Sequence, residues 1–191
     1  MSRRKNQANR TKPRGADMRF NSTNIEELIR NVMKDGKKQK AIKIVYTALD
    51  NLHEYCNKKG DVLPEIDSSN DVEVTDTATS STLNKKDAYI SRIFDSILDK
   101  AGPSLELKNR KIGGSNIQVP HSVDQERKTT LAIRFIIKSS RDRISQNKSM
   151  GKALANELIG IISGSAESLN LRDRMLSMAK ANAVFQVAKR G

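Results

Sequence analysis

The chain has 191 residues, with 35 Lys and Arg against 22 Asp and Glu, a formal net charge of +13. Charge of that size speaks to partners rather than to fold, and no apolar run approaches the roughly 18 residues of a membrane span, so the expected partner is a polyanion and not a membrane. Aromatic residues make up 4% with no Trp, which argues against stacking successive bases on aromatic platforms and leaves phosphate contact and shape recognition.

Residues 1–16 contain Arg3, Arg4, Lys5, Arg10, Lys12 and Arg14 and no acid. A secretory signal needs an apolar core, which this stretch lacks. A mitochondrial transit peptide shares the basic, acid-poor character, but apolar residues are too few for an amphipathic helix and Pro13 and Gly15 interrupt it. The prediction is a disordered basic N-terminal arm over residues 1–20 that orders on nucleic acid. Residues 21–191 are then expected to form a single helical domain.

A first helix is predicted from Thr23 as N-cap, with Glu26 completing a capping box and Ile25, Leu28, Ile29, Val32 and Met33 at helical spacing. Gly36 is expected to end it. A second helix follows almost at once, with Ile42, Val45, Leu49, Leu52 and Cys56 on one stripe. So short a connection predicts that the two pack as neighbours. Between them Lys34, Lys37 and Lys38 gather at a junction where backbone N–H groups open, a candidate phosphate seat set against the plainer reading of a solvated corner.

From Asp61 to Asn84 the composition changes. Asp61, Glu65, Asp67, Asp71, Glu73 and Asp76 stand among Ser and Thr with no Lys or Arg. The segment reads as an insertion directed away from any polyanion, and the remainder is more basic than the total charge suggests.

A third helix, carrying Ile90, Ile93, Phe94, Ile97 and Leu98, is predicted to stop at Gly102-Pro103. Residues 104–120 then read as a β-hairpin turning at Gly113-Gly114, with Lys108, Arg110, Lys111 and Ser115 near its tip and Val119-Pro120 where the ladder should stop. Arms of about seven residues would project on the order of 20 Å. A Gly-Gly turn alone is a weak signal, since most such hairpins only close a sheet.

A long helix from about Asp124 to Arg143 carries Leu131, Ala132, Ile133, Phe135, Ile136 and Ile137 and is expected at the centre of the fold, with Arg134, Lys138, Arg141 and Arg143 on its exposed side and end. Another helix begins near Ser149 with Met150, Leu154, Leu158 and Ile161. The last is predicted from about Arg172 to Ala188, where Met175 and Met178 are read as core filling. The fold class is mainly α: a bundle of about six helices with a protruding β-hairpin arm.

Cys56 is the sole cysteine, so no intramolecular disulfide can form, and with only His53 and His121 there is no conventional His/Cys zinc site. No phosphate-binding loop, nucleophile elbow or dinucleotide fingerprint is present. The chain is expected to be no enzyme and to need no cofactor or metal.

Several blocks, in order, resemble the small-subunit ribosomal protein seven family of bacteria and organelles: Ser2-Arg3-Arg4; Asp35-Gly36-Lys37-Lys38 with Ile44-Val45-Tyr46 and Ala48-Leu49; Gly113-Gly114-Ser115 with Gln118-Val119-Pro120; Leu131-Ala132-Ile133-Arg134; Lys148-Ser149-Met150 with Leu154-Ala155-Asn156-Glu157-Leu158; and Met178-Ala179 with Ala181-Asn182 and Phe185. They cover nearly the whole chain except the Asp61 to Asn84 insertion.

The resemblance implies a structural constituent of the small ribosomal subunit that binds the 3′ major domain of its rRNA, nucleates assembly of the head beside neighbouring head proteins, and sets the ribbon near exit-site tRNA and the mRNA exit path. It implies rRNA contact by Arg3, Arg4, Lys37, Lys38, Arg134, Lys148 and Met150, and a charged ribbon at Lys108, Arg110 and Lys111. The charge pattern adds Lys5, Arg10, Lys12, Arg14, Lys34, Arg141, Arg143 and Lys152 to the rRNA-binding set, and the matched turn block places Gly113, Gly114 and Ser115 at the ribbon tip.

Departures from the family pattern are Ile117 for Tyr, Phe135 for Trp, and changes around Met175, Leu176, Ser177 and Val187 that put the last helix's RNA role in question. The insertion, the Asn, Lys and Ile content and the lack of a recognisable leader predict an organelle-encoded copy in the mitochondrial ribosome, with plastid or bacterial cytoplasm as the alternative.

Two competing functions are weaker. A DNA-binding architectural protein would need a recognition helix presenting base-reading side chains. An RNA-modifying enzyme would need a cofactor loop or a nucleophile.

Overall fold

Residues 15–59, 85–112 and 114–183 are described in a computed structural model of the chain. They form seven helices and one antiparallel ribbon: α1 (Thr23–Val32), α2 (Lys38–Lys59), α3 (Lys85–Ala101), β1 (Leu105–Ile112), β2 (Ser115–Ser122), α4 (Gln125–Asp142), α5 (Ile144–Asn147), α6 (Met150–Ser163) and α7 (Glu167–Ala181). The expected mainly helical fold with a hairpin is therefore present. The basic residues of the N-terminal arm through Arg14, the acidic stretch and Phe185 lie outside the described residues.

The start of α1 differs from expectation by one residue. Ser22, not Thr23, is the N-cap, and its hydroxyl accepts from the Ile25 backbone N–H at 3.4 Å. Two adjacent hydroxyl residues compete for the cap, and Asn21 at φ 47° together with the preceding turn at Asp17 leaves Ser22 extended. Glu26 consequently sits one position past the capping-box site. It binds Lys38 Nζ at 2.8 Å and Arg30 Nε at 3.5 Å instead.

Gly36 does not cap α1, which stops at Val32. Asp35 and Gly36, at φ 52° and 69°, reverse the chain between α1 and α2. Gly36 takes that conformation without steric cost, and Asp is among the few side chains that tolerate it.

The core is the shared interior of five helices. Ile25, Leu28 and Ile29 of α1, Val45, Leu49 and Leu52 of α2, Ile90, Ile93, Phe94 and Ile97 of α3, Ile133 and Ile136 of α4 and Leu154 and Leu158 of α6 are all buried. Each set repeats at helical spacing, so burying one stripe per helix generates the bundle. Ile42, expected on the buried stripe of α2, is only half-buried and packs at its margin.

Asp124 precedes α4 in extended conformation, and Ser149 caps α6 by accepting from the Lys152 N–H at 3.3 Å. The short helix α5 is an addition to the predicted elements. The last helix begins at Glu167, five residues ahead of its expected start. Its first turn, Glu167-Ser168-Leu169-Asn170, carries little apolar periodicity, and only Ser168 and Ala179 of α7 are buried. Met178 does not fill the core: it is 51% exposed.

The strands pair Ile112 with Ser115 and run back to Leu105 with Ser122. Each has eight residues, one more than expected. Gly114 has φ 88°. Pro120 does not stop the ladder but pairs with Leu107. Counted from Ile112 and Ser115, hydrogen-bonded pairs alternate with non-bonded ones, and Leu107 with Pro120 is non-bonded. The proline nitrogen there has no ladder bond to lose. Val123 N donates to Ser104 O at 3.1 Å, one bonded step beyond the strand ends.

Candidate nucleic-acid interface

Arg134, Lys138 and Arg141 lie four and three residues apart on α4, so they share one face of that helix. All three are exposed. Arg141 reaches across to α1, its Nη2 donating to the backbone O of Asn31 at 3.1 Å. That oxygen belongs to the last turn of α1, where helix carbonyls lack intrahelical donors. The bond fixes a guanidinium at the boundary of two adjoining hollows.

One hollow is lined by Asn31, Arg134, Ile137, Lys138, Arg141 and Asp142. The other shares Arg141 and adds Lys34 and Lys37 from the α1–α2 junction, Lys40 from the first turn of α2, and Met150 from the start of α6. Lys34, Lys37, Arg134, Arg141 and Met150, expected from separate stretches of sequence, are thus brought to one face. Lys40 and Lys138 complete it. The signal for both was present in spacing, since Lys40 follows Lys37 by three residues and Lys138 follows Arg134 by four.

Among the described residues no acid forms an ion pair with Lys34, Lys40, Arg134, Lys138 or Arg141. Lys37 has only an exposed contact, 3.9 Å from Asp35. A cluster of like charges without neutralising partners is repulsive in the isolated protein and favourable against a polyanion.

Other expected contacts are placed differently. Lys38 turns inward to the nearly buried carboxylate of Glu26 at 2.8 Å, linking α2 to α1. Arg143 directs Nη1 to 3.5 Å from Oε2 of fully buried Glu157. Lys148 ends α5 in the left-handed conformation at φ 59°, and Lys152 is exposed in the first turn of α6. Neither lines the two hollows. Arg3, Arg4, Lys5, Arg10, Lys12 and Arg14 fall outside the described residues.

On the ribbon, Arg110, Lys111, Gly114 and Ser115 are exposed, while Gly113 is outside the described residues. Lys108 lies 3.2 Å from Glu106, whose other oxygen receives Arg127 Nε at 3.0 Å. Burial pushes the Glu106 carboxyl up, but the bonds from Arg127 and Lys108 outweigh it and hold the group below its usual range. Two of the ribbon's neighbouring cations are therefore engaged at its root, and Arg110 and Lys111 are left toward the tip.

A second polar cluster fastens the start of the described chain to the bundle. Arg19 donates to both oxygens of Asp50, at 2.8 and 3.2 Å, and its guanidinium lies 4.7 Å from the Phe20 ring centre and 5.3 Å from that of Tyr46. Tyr46 in turn donates to Asp17 at 3.0 Å. Arg19 holds Asp50 below the ordinary carboxylate range by hydrogen bonding first and by charge second. This cation is structural and forms no part of the open face.

Among the described residues no group of three or more His, Cys, Asp or Glu could hold a metal ion, and no helix is long and apolar enough to cross a membrane. What the elements present is a helical module with an unneutralised basic face and a projecting ribbon, the build of a polyanion-binding protein. The family model of Ribosomal protein S7p/S5e matches residues 1–183, and the chain belongs to that family.

Similar proteins include the small ribosomal subunit protein uS7 of Mycoplasma mobile, 35% identical over 170 residues, covering 89% of this chain and 88% of its own length. That of Francisella philomiragia is 34% identical over 169 residues, 88% of each chain. That of Trichormus variabilis is 32% identical over 174 residues, 91% of each. The chain is a structural constituent of the small ribosomal subunit and not an enzyme.

Proposed function

We propose that the chain anchors the head of the small subunit by gripping the 3′ major domain of its rRNA through the face formed by Lys34, Lys37, Lys40, Arg134, Lys138 and Arg141. The observation that carries this reading is the convergence of those six cations from the α1–α2 junction, α2 and α4 without an ion pair to any described acid except the 3.9 Å contact of Lys37 with Asp35. The basic arm, with Arg3, Arg4, Lys5, Arg10, Lys12 and Arg14, extends the grip, and Lys148 and Lys152 add to it from α6 and its approach. The ribbon tip, with Arg110, Lys111, Gly113, Gly114 and Ser115, serves exit-site tRNA and the mRNA exit path beside neighbouring head proteins. The acidic insertion and the Asn, Lys and Ile content support a mitochondrial ribosome as its location, with a plastid or bacterial one as the alternative.

The test is the salt dependence of binding to an rRNA fragment spanning the 3′ major domain. The six cations of this face alone give a slope of about −5 in log K against log salt, and contacts by the arm, Lys148 and Lys152 steepen it further. A flat dependence, or failure to sediment with small subunits, would sink the reading.

A further inference from the structure

Left-handed backbone is rare away from glycine, because the Cβ then crowds the neighbouring carbonyl oxygen. Among the described residues six positions have positive φ, and five of them are Asn21, Asp35, Gly36, Gly114 and Gly164. Glycine has no Cβ, and the short polar chains of Asn and Asp tolerate the region. The sixth is Lys148, at φ 59° and ψ −13°. A long aliphatic stem gains nothing from that conformation, and glycine would adopt the same turn without strain.

The residues on either side hold Lys148 in place. Before it, the Asn147 side-chain Nδ2 donates to the Arg143 backbone O at 3.1 Å, and the Asn147 backbone N donates to the same oxygen at 3.2 Å. Asn147 Oδ1 in turn accepts from Nδ2 of Asn156, on α6, at 2.6 Å. After it, Ser149 is extended at φ −148° and caps α6 by accepting from the Lys152 N–H at 3.3 Å. A strained residue persists where its neighbours over-determine its conformation, and such residues cluster at functional sites.

The fold itself makes no use of the Lys148 ammonium group. The residue is exposed and forms no ion pair among the described residues. Its place is nonetheless particular: Ile144 and Met150, on either side of it in the chain, both line the hollow beside the α1–α2 junction. A lysine on a free loop could reach the same region, but binding would then have to order the loop as well as the stem. With the backbone already fixed, only the stem remains to be ordered when the ammonium group meets a phosphate.

We propose that Asn156 is a positioning residue: through Asn147 it holds the end of α5, so that the strained turn at Lys148 keeps that ammonium group set for one phosphate of the small-subunit rRNA. The inference rests on the reading that this face binds rRNA, and it adds a residue that acts on the RNA without touching it.

The test uses the full-length protein and the 3′ major domain fragment, with filter binding at several salt concentrations and thermal melts of Lys148→Gly, Asn156→Ala and the double variant. Lys148→Gly should raise the melting midpoint by about 3 °C as the strain is relieved, and should lower the salt slope by about one. Asn156→Ala should weaken binding about fivefold in the otherwise unaltered chain. In the Lys148→Gly chain it should change affinity by less than about twofold, because nothing is left for it to position. An Asn156 that only supports the fold would weaken both chains by the same factor, and that result overturns the proposal. So does a Lys148→Gly protein that keeps the full slope or melts lower. If Asn156→Ala fails to fold, Asn147→Ala, which removes the other half of the 2.6 Å bond, takes its place in the cycle. Failure of the unaltered protein to bind the fragment removes the rRNA reading itself, a result distinct from normal binding with additive losses.

Discussion

Arg143, at the end of α4, lies with Nη1 3.5 Å from Oε2 of Glu157, a carboxylate on α6 with no exposed surface. The other oxygen of Glu157 accepts from the Ser139 hydroxyl at 3.0 Å and from the Ser168 backbone N–H at 2.7 Å. Ser168 lies in the first turn of α7, so one buried carboxylate joins α4, α6 and the N-terminal end of α7. Oε2 makes no hydrogen bond among the described residues, so the Arg143 guanidinium is what compensates this buried charge.

Arg143→Met should therefore destabilise the fold rather than selectively weaken RNA binding. Breaking a buried pair costs about 3–5 kcal/mol, and the partial exposure of Arg143 reduces the expected figure to about 2 kcal/mol. Adding Glu157→Gln should recover part of that loss, because the amide oxygen can still accept from Ser139 and Ser168 while the uncompensated charge disappears. Urea denaturation of the two single variants and the double variant measures the coupling. A strictly additive double variant would show that the 3.5 Å approach carries no interaction.

The adjacent lysines 37 and 38 should separate by phenotype. Lys37 is directed to the open hollow, whereas Lys38 binds Glu26 at 2.8 Å. Lys37→Ala is expected to reduce the salt slope of rRNA binding by about one and to leave stability nearly unchanged. Lys38→Ala should leave the slope alone and cost up to about 1 kcal/mol of stability, since its side chain is half exposed and the pair is screened. Filter binding at several salt concentrations, paired with urea melts, distinguishes them. Equal slope changes for the two would contradict the inward role of Lys38.

These two lysines also mark the limit of what the chain discloses by itself. The apolar periodicities of α3, α4 and α6 are local, so Ile90, Ile93 and Phe94 could be assigned to a buried stripe from spacing alone. The Gly-Gly hairpin and the Ser149 cap are equally local signals. Whether a lysine faces RNA or a buried acid is not local: Glu26 is twelve residues from Lys38, and Glu157 is on a different helix from Arg143. The same holds for the hollow beside the α1–α2 junction, whose lining comes from α1, α2, α4, α5 and α6. Local ambiguity accounts for the remaining differences, as in the choice of Ser22 over Thr23 and the weakly patterned first turn of α7. The short α5 has only four residues, too few for a helical period to be read.

Alkaline pH should loosen the attachment of residues 17–20 to α2. Burial first, and the hydrogen bond to Asp17 second, push the Tyr46 phenol up to about 12 from an ordinary 10.0. The phenol form is favoured in the folded state, so its stabilising contribution is complete below pH 10 and is lost as pH rises toward 12. Phenolate absorbance should show a titration step near pH 12, and Tyr46→Phe should remove that late step. The variant should also flatten the fall in stability between pH 10 and 12. A late step that survives Tyr46→Phe would assign the shift to another tyrosine.

The ribbon should be dispensable for folding and rRNA binding but needed for contacts made by its tip. A two-stranded ribbon is marginal by itself, and the buried side chains of the helices supply the core. Val119, Pro120 and Glu106 are buried near the root, whereas Lys108 to Lys111 and Gly114 to Asn116 are exposed wherever their side chains are described. Replacing residues 111–116 with Asn-Gly preserves register, because Arg110 and Ile117 already face each other and become the closing pair. The shortened protein should keep its melting midpoint within a few degrees and its affinity for the rRNA fragment within about threefold. Subunits assembled with it should incorporate it normally yet retain exit-site tRNA less well and hold reading frame less accurately. Loss of incorporation by a folded variant would instead make the ribbon a primary rRNA anchor, with the basic face secondary.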